Sequence, residues 1–244
     1  MKTYVLGNWK CNGDAAMVRT FADLFKSYDP TAPEGFHRGL ALPFHLLNDA
    51  TFHHAMTGAE NVSPFGEGAY TGEISAGMIK STAAEFCLVG HSERRQYFGE
   101  DVGMTAKKLN NLLAAEILPV FCIGETLEQR EAGELEKVLS DQLSPIADLS
   151  KDAEIVVAYE PVWAIGTGVA ATPDDVINAH AGIKKMLADM GQADTAVLYG
   201  GSVKPANAEA LGAIKDVDGF LIGGASLKTE DFKAILEGFL AAKA

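Results

Sequence analysis

A glutamate stands at the end of a short apolar run, within the segment AYEPVWAIGTG at residues 158–168. Residues 155–157 are β-branched and typical of a buried strand, and Pro161 disfavours helical angles at Glu160. The sequence therefore predicts a carboxylate at a strand tip, pointing out of the sheet, where it could serve as a general base. A glutamate considered alone is more often a solvated surface residue.

The residues after this glutamate have the composition of a hinged lid. Residues 161–163 (PVW) are stiff and bulky, whereas residues 164–168 (AIGTG) are small and rich in glycine. The predicted lid consists of Pro161, Val162, Trp163, Ala164, Ile165, Gly166, Thr167 and Gly168.

Polar residues follow two other apolar runs in the same way. Asn8 ends the first run with Lys10 just beyond it, and His91 comes directly after the run at residues 85–90. Considered singly, the lysine would be a solvated surface residue and the histidine a satisfied core residue. Residues 92–95 (SERR) resemble a helix start, whose positive end disfavours an imidazolium. We therefore expect a neutral His91 that donates to a carbonyl oxygen and shuttles protons.

Glycine pairs follow the last two apolar runs. Gly200 and Gly201 precede Ser202, and Gly223 is followed by Gly224. Backbone N–H groups at such loops can approach a ligand closely, and a short helix opening there would add its positive end. One glycine pair is usually only a turn. Two pairs in successive loops predict a phosphate-binding cradle.

The elements that must position these residues form a repeating pattern. Eight short apolar runs alternate with helical or linking segments: residues 4–8, 39–42, 56–62, 85–90, 117–123, 155–157, 195–199 and 217–222. The runs are continuous rather than alternating, as strands buried on both faces must be. We therefore predict one α/β domain over residues 1–244, an eight-stranded parallel (β/α)8 barrel. An open doubly wound sheet is the main alternative, but the first run lacks a GxGxxG motif.

In a barrel, polar residues at the carboxyl ends of the strands share one face. The candidate residues above would then meet in one pocket. Asp14, Thr172 and Thr229 are expected to cap three of the helices, and residues 63–77 form a glycine-rich loop that is too long for an ordinary connection.

Composition excludes several classes of partner. The chain has 244 residues, 48% of them apolar, and a net charge of −13, which disfavours nucleic acid and anionic membranes. Three widely spaced cysteines fit reduced thiols better than disulfides or a zinc site. No apolar run approaches the ~20 residues of a membrane span. We expect a soluble, cytoplasmic protein without a metal or nucleotide cofactor.

Four segments closely resemble the signature segments of triosephosphate isomerases. They are GNWK at residues 7–10, LVGHSERR at 88–95, AYEPVWAIGTG at 158–168 and YGGSV at 199–203. GAYTGEIS at residues 68–75 and CIGET at 122–126 are also similar to motifs of this family. The similarity runs from the first strand to the last in the right order.

The resemblance implies interconversion of dihydroxyacetone phosphate and glyceraldehyde 3-phosphate without a cofactor. Glu160 would move the proton, His91 would polarise the oxygens, and Lys10 and Asn8 would stabilise the enediolate. The phosphate would be held by Gly166, Ser202, Gly223 and Gly224. The alternatives are a non-catalytic phosphosugar-binding barrel, which would need no base, and a phosphate-binding barrel enzyme with different chemistry.

The resemblance also implies a homodimer. The loop at residues 63–77, which carries Phe65, Tyr70 and Thr71, would dock into a pocket of a second subunit. The sequence departs from the family pattern at three places. Val169, Ala170 and Ala171 follow the lid where the family often has Lys-Thr-Ala, and residues 41–43 (ALP) replace a frequent double proline. Glu60 stands where glutamine is usual.

Overall fold

The computed structural model describes residues 2–28, 33–164 and 171–244. Eight parallel strands close into a barrel in chain order, and the first strand pairs with the last. The strands are β1 (Thr3–Asn8), β2 (Phe36–Leu42), β3 (Met56–Ala59), β4 (Ala84–Val89), β5 (Leu118–Ile123), β6 (Val156–Tyr159), β7 (Ala196–Tyr199) and β8 (Gly219–Ile222). The predicted (β/α)8 barrel is confirmed, and the open sheet is excluded.

Helices connect the strands on the outside of the barrel. Within the described residues they are α1 (Ala15–Lys26), α2 (Ala76–Lys80), α3 (Ser92–Phe98), α4 (Val102–Ala114), α5 (Leu127–Glu131), α6 (Leu135–Ala147), α7 (Pro173–Asp189), α8 (Ala208–Gly212) and α9 (Thr229–Lys243). Short 3-10 turns occupy Phe44–Leu46, Val162–Ala164 and Gly224–Leu227. No helix in the described part of the chain is both long and apolar enough to cross a membrane.

Two of the three predicted helix caps are confirmed. The Asp14 side chain accepts hydrogen bonds from the first turn of α1, and Thr172 forms a capping box with Asp175 at the start of α7. Thr229 was expected to cap α9, and this prediction is wrong. It is the first helical residue, and Lys228 occupies the cap position without a side-chain hydrogen bond.

Strand boundaries differ most at β2 and β3. β2 begins at Phe36, three residues before the predicted run, because partly buried side chains also join the ladder. β3 ends at Ala59, although the predicted run continued to residue 62. Only Val62 of the last three residues in this run is apolar, and Glu60 and Asn61 line a groove at the strand end.

Apolar side chains fill two layers. The interior of the barrel is packed by one cluster of buried residues that includes Leu6, Phe86, Leu88 and Leu198. A larger cluster lies between the strands and the helices. Successive side chains of a strand point to opposite faces, so each strand contributes to both clusters. Both faces of the sheet are therefore buried, as the continuous apolar runs predict. The polar side chains at the strand ends therefore extend from a rigid scaffold.

Candidate active site

A cavity of about 490 Å³ opens at the carboxyl ends of the strands. Its wall contains seven of the eight residues that the sequence assigns to catalysis and phosphate binding: Asn8, Lys10, His91, Glu160, Ser202, Gly223 and Gly224. The eighth, Gly166, lies outside the described residues, as do Ile165, Thr167, Gly168, Val169 and Ala170. The candidate residues come from distant parts of the chain and share one pocket, as the barrel topology predicts.

Glu160 is fixed immediately beyond the end of β6. Its N–H donates to the Ile123 carbonyl at 2.7 Å, which extends the ladder to the neighbouring strand by one residue. The residue is only 3% exposed. A Cβ added at Gly200 would lie 2.8 Å from the Cγ of Glu160, so a glycine at this position leaves room for the carboxylate. The glutamate is therefore a buried acid in a tightly shaped site.

His91 faces this carboxylate. Its Nε2 lies 3.0 Å from Oε1 of Glu160, and the N–H of Ser92 donates to Oε2 at 3.1 Å. On the other side of the ring, Nδ1 accepts a hydrogen bond from the N–H of Glu93 at 3.3 Å, and His91 is the N-terminal cap of α3. An accepting Nδ1 must carry a lone pair, so this contact places the imidazole proton on Nε2.

The two side chains shift each other's pKa. Burial raises the pKa of Glu160, but His91 and the N–H of Ser92 outweigh it and hold the pKa below its usual value. Burial lowers the pKa of His91, but the adjacent Glu160 carboxylate raises it above its usual value. The expected lowering of the His91 pKa is therefore outweighed in this structure, because the carboxylate lies in direct contact with Nε2.

Lys10 adopts the left-handed conformation, with φ of 54°, directly after β1. Its N–H donates to Oδ1 of Asn8 at 3.0 Å, so the asparagine side chain supports this unusual turn. The ammonium group lies 2.6 Å from a carboxylate oxygen of Glu93. This partner was not assigned from the sequence, although it lies in the SERR segment that follows His91.

The two glycine loops line the same cavity as Glu160. Gly224 opens the 3-10 turn Gly224–Leu227, and Ser226 Oγ donates to the Gly223 carbonyl at 2.7 Å. After β7, a Cβ at Gly201 would collide with the Tyr199 hydroxyl, so only glycine fits there. Two further lysines line this side of the cavity, Lys204 and Lys228. Neither lysine is among the site residues that the sequence predicts.

The described part of the predicted lid, residues 161–164, contacts a buried glutamate. The Nε1–H of Trp163 donates to Oε1 of Glu125 at 2.7 Å, and the Tyr159 hydroxyl donates to the same oxygen at 3.1 Å. Arg130 pairs with this carboxylate and lies over the Trp163 ring. Glu125 belongs to the CIGET segment that was noted in the sequence, but no role was assigned to it there.

The glycine-rich loop exposes two aromatic side chains. Phe65 and Tyr70 are 40% and 44% exposed and stack on each other with ring centres 4.2 Å apart. Thr71 is also exposed. A separate groove of about 760 Å³ borders the active-site cavity and includes Lys10, Phe44 and further residues of the first strand ends.

Within the ranges that the structure describes, no group of three or more His, Cys, Asp or Glu residues could hold a metal ion.

The model of the triosephosphate isomerase family matches residues 3–239. This chain belongs to the triosephosphate isomerase family. The resemblance drawn from the signature segments is thus confirmed over nearly the whole chain.

Three relatives in this family are similar to this chain over nearly their whole length. The triosephosphate isomerase of Xanthomonas campestris pv. campestris (strain 8004) is 47% identical over 239 residues, which cover 95% of each chain. That of Herminiimonas arsenicoxydans is 45% identical over 95% of this chain and 97% of the relative. That of Marinobacter nauticus is 44% identical over 96% of each chain.

Proposed function

We propose that this member of the triosephosphate isomerase family interconverts dihydroxyacetone phosphate and D-glyceraldehyde 3-phosphate through an enediolate, a step of glycolysis and gluconeogenesis. The observation that carries the proposal is the buried pair of Glu160 and His91, 3.0 Å apart in a cavity that also holds Lys10 and two glycine loops. A carboxylate base beside an imidazole suits proton abstraction next to a carbonyl. A non-catalytic phosphosugar-binding protein would need the glycine loops but no such pair.

Glu160 would carry the proton between the two carbons. A general base must be ionised before it reacts, and contacts from His91 and the Ser92 N–H keep the pKa of this buried carboxyl low after burial has raised it. When a substrate enters, the carboxylate exchanges these hydrogen bonds for a carbon-bound proton. Loss of these hydrogen bonds would make the carboxylate more basic as it takes the proton.

His91 would act as a neutral electrophile in the loaded site. Its pKa is raised here by the Glu160 carboxylate, and a substrate lying between the two side chains would separate them. Burial and the Lys10 charge, which both lower the pKa of His91, would remain. The N–H of Glu93 would still occupy Nδ1, which leaves the Nε2–H free to donate to the substrate oxygens.

Lys10 and Asn8 would stabilise the negative charge of the enediolate. Both line the cavity, and the hydrogen bond between Asn8 and the Lys10 backbone fixes their relative position. The phosphate would bind at the opposite end, against the backbone N–H groups of Ser202, Gly223 and Gly224, with Gly166 contributing from the lid. This division would keep the reacting carbons next to the acid–base pair.

The lid at residues 161–168 would close over the bound substrate. An enediolate with a neighbouring phosphate can expel that phosphate in water, so exclusion of water protects the intermediate. The hydrogen bond of Trp163 to Glu125 offers one anchored hinge for this motion. The other hinge would be residues 169–171.

The activity can be tested by replacing the base. Glyceraldehyde 3-phosphate turnover is followed in a coupled assay for the parent, for Glu160→Gln and for the control Glu131→Gln, which changes an exposed glutamate in the same way. We expect kcat of Glu160→Gln to fall by about 10³-fold, within the range for loss of a general base, and the control to match the parent. A parent without turnover would overturn the proposed function, and full activity of Glu160→Gln would overturn the assignment of the base.

We also propose that the protein is a homodimer. Phe65 and Tyr70 are exposed at the tip of a loop whose ends are joined by a 2.8 Å hydrogen bond from the Ser63 N–H to the Ile74 carbonyl. Phe98, 67% exposed, lines the groove next to the active site. An ordered loop with an apolar tip and a groove with an apolar wall are complementary, and a two-fold axis would make each contact twice.

The dimer would bring a second subunit to the active site. The groove is lined by Asn8 and Lys10, so a docked loop would place Thr71 near the partner's Asn8 and the partner's Lys10. Light scattering at micromolar concentration should give about twice the monomer mass of 25.9 kDa. The double variant Phe65→Glu/Tyr70→Glu should be monomeric and less active, because it buries charge at the contact. A fully active monomeric parent would contradict the proposal.

We further propose a cytoplasmic location. Cys11, Cys87 and Cys122 are all free thiols. Free thiols fit a reducing compartment. Fractionation of the source cells would test this location.

A further inference from the structure

Gln142 holds the backbone that follows β5. It lies on α6, and its side-chain amide makes two hydrogen bonds with one residue. Oε1 accepts from the Gly124 N–H at 2.8 Å, and Nε2 donates to the Gly124 carbonyl at 2.9 Å. A carboxamide can do both because it offers an acceptor and donors on adjacent atoms. Gln142 therefore fixes the peptide groups on both sides of Gly124.

Gly124 lies against the main chain of Glu160. A Cβ added at Gly124 would overlap the Glu160 carbonyl oxygen, so the two backbones are in contact. The neighbours of Gly124 bind the same segment. The Ile123 carbonyl accepts from the Glu160 N–H at 2.7 Å, and the Glu125 carbonyl accepts from the Val162 N–H at 3.1 Å. These three consecutive residues thus support the segment that carries the proposed base.

Gln142 can affect the base without touching the substrate. Among the described residues it is not part of the wall of the active-site cavity, and it lines a second cavity of about 450 Å³ that Glu160 and Trp163 also line. The tip of the Glu160 carboxylate is held by His91 and the Ser92 N–H, but these contacts are given up when a substrate enters. The position of the carboxylate then depends on its main chain.

We propose that Gln142 is a positioning residue for the Glu160 base. Through Gly124 it keeps the Glu160 main chain at the depth from which the carboxylate reaches the carbon-bound proton. The inference rests on the proposed isomerase function and goes beyond it, because it gives a role to a residue outside the active-site cavity. The groups proposed to bind the phosphate lie on the loops after β7 and β8 and stay unchanged. The effect of Gln142 therefore belongs in kcat and not in KM.

The test compares two glutamines that each bind a backbone carbonyl. Gln142→Met keeps the length of the side chain and removes both hydrogen bonds to Gly124. Gln192→Met is the matched control: this buried side chain donates to the Ser150 carbonyl at 2.9 Å and lines a cavity with residues of the strand starts, at the other end of the barrel. Both variants should have a lower Tm than the parent, because each loses a hydrogen bond and leaves a backbone group unpaired.

Kinetics separate positioning from stability. Glyceraldehyde 3-phosphate turnover is measured well below the Tm of every variant. Gln142→Met should lower kcat by about tenfold or more, because displacement of a reacting group by about 1 Å can cost about a hundredfold. Its KM should stay within about twofold of the parent, as for an interaction that acts on the chemical step. Gln192→Met should keep both constants within about twofold, since its hydrogen bond lies away from the reacting groups.

A variant without the base shows whether Gln142 acts through it. Once Glu160→Gln has removed the base, its exact position no longer matters. Adding Gln142→Met to Glu160→Gln should then change kcat by less than about twofold, because residues that act as a unit are not additive. An equal loss of kcat with and without the base would show that Gln142 acts on another group.

Gln142→Glu offers a rescue by pH. A protonated carboxyl has an acceptor and a donor, as the amide has, whereas an ionised carboxyl cannot donate to the Gly124 carbonyl. Arg95, Glu128 and Glu160 are charged residues that line the same cavity, and they are present in the parent as well. The ratio of the kcat of this variant to that of the parent cancels their titration. The ratio should therefore rise towards one as the pH falls from about 8 to about 5, since burial favours the protonated carboxyl.

Four results would each overturn the positioning role. They are a parental kcat for Gln142→Met, an equal loss of kcat in Gln192→Met, an equal loss in the Glu160→Gln background, and a kcat ratio for Gln142→Glu that does not change with pH. If Gln142→Met does not fold, the pH series of Gln142→Glu decides alone. Failure of the isomerase function itself would be seen differently, as a parent that does not turn over glyceraldehyde 3-phosphate.

Discussion

Glu60 carries a stability penalty that a single substitution should remove. It follows β3 directly, and its Oε1 is buried without a hydrogen-bond partner. Burial raises its pKa from 4.5 to about 8, and Glu93 adds to the effect while Lys10 opposes it. Glutamine has nearly the same shape as glutamate and carries no charge. We therefore expect Glu60→Gln to stabilise the protein near neutral pH.

The magnitude follows from proton linkage. The folded state binds the Glu60 proton more tightly than the unfolded state, so stability falls as pH rises from about 4.5 to about 8 and is constant outside this window. A pH of 7 is about 2.5 units above the pKa of Glu60 in the unfolded state. At 1.36 kcal/mol per unit, this difference lowers the free energy of unfolding by about 3 kcal/mol. For a chain of this size, about 3 kcal/mol corresponds to a rise in Tm on the order of 5–10 °C.

The assay is denaturation of the parent, Glu60→Gln and Glu131→Gln between pH 5 and pH 9. The gain from Glu60→Gln should be under about 1 kcal/mol at pH 5, since little of the penalty is present there, and should increase to a plateau above pH 8. Glu131→Gln, at an exposed position, should differ from the parent by less than about 0.5 kcal/mol. A gain that is equal at pH 5 and pH 8 would refute the linkage argument, because a neutral hydrogen bond does not titrate in this range.

Three further predictions concern the reaction. Glu160→Asp withdraws the carboxylate by about one methylene and should lower kcat on the order of a hundredfold, with little change in KM. Steady-state kinetics measure both constants, and full activity of the variant would rule out Glu160 as the base. Trp163→Phe removes the 2.7 Å hydrogen bond to Glu125 and leaves this buried acceptor with one donor fewer, so kcat should fall. An unchanged kcat in stopped-flow and steady-state assays would exclude Trp163 as a hinge of the lid. Deletion of residues 165–167 should slow isomerisation severely and raise the share of turnovers that release methylglyoxal and inorganic phosphate. If phosphate release per turnover stays at the parental level, the lid does not protect the intermediate.

Some elements could not be identified from local sequence. Helices α2, α5 and α8 have five residues each, too few to show the 3.6-residue period of a helix. Helix α7 was identified because seventeen residues carry a long apolar face and a capping signal at Thr172. Length is the physical reason for the difference, since a periodic signal accumulates over several turns.

The sequence by itself determined the class of fold and the catalytic candidates. Continuous apolar runs require strands buried on both faces, and polar residues after those runs must lie on the carboxyl face of a parallel barrel. Glu160, His91 and Lys10 were found in this way, because each interrupts or follows a run where an apolar residue would otherwise be expected.

Only the tertiary structure decided how these groups affect one another. The Lys10–Glu93 pair and the Glu125 anchor of Trp163 join residues 83 and 38 positions apart, and their geometry depends on packing that no local pattern specifies. The raised pKa of His91 likewise depends on a carboxylate 69 positions away in sequence and 3.0 Å away in space. Electrostatic interactions fall off with distance through space and not along the chain, so the charge states of this site follow from the closed barrel.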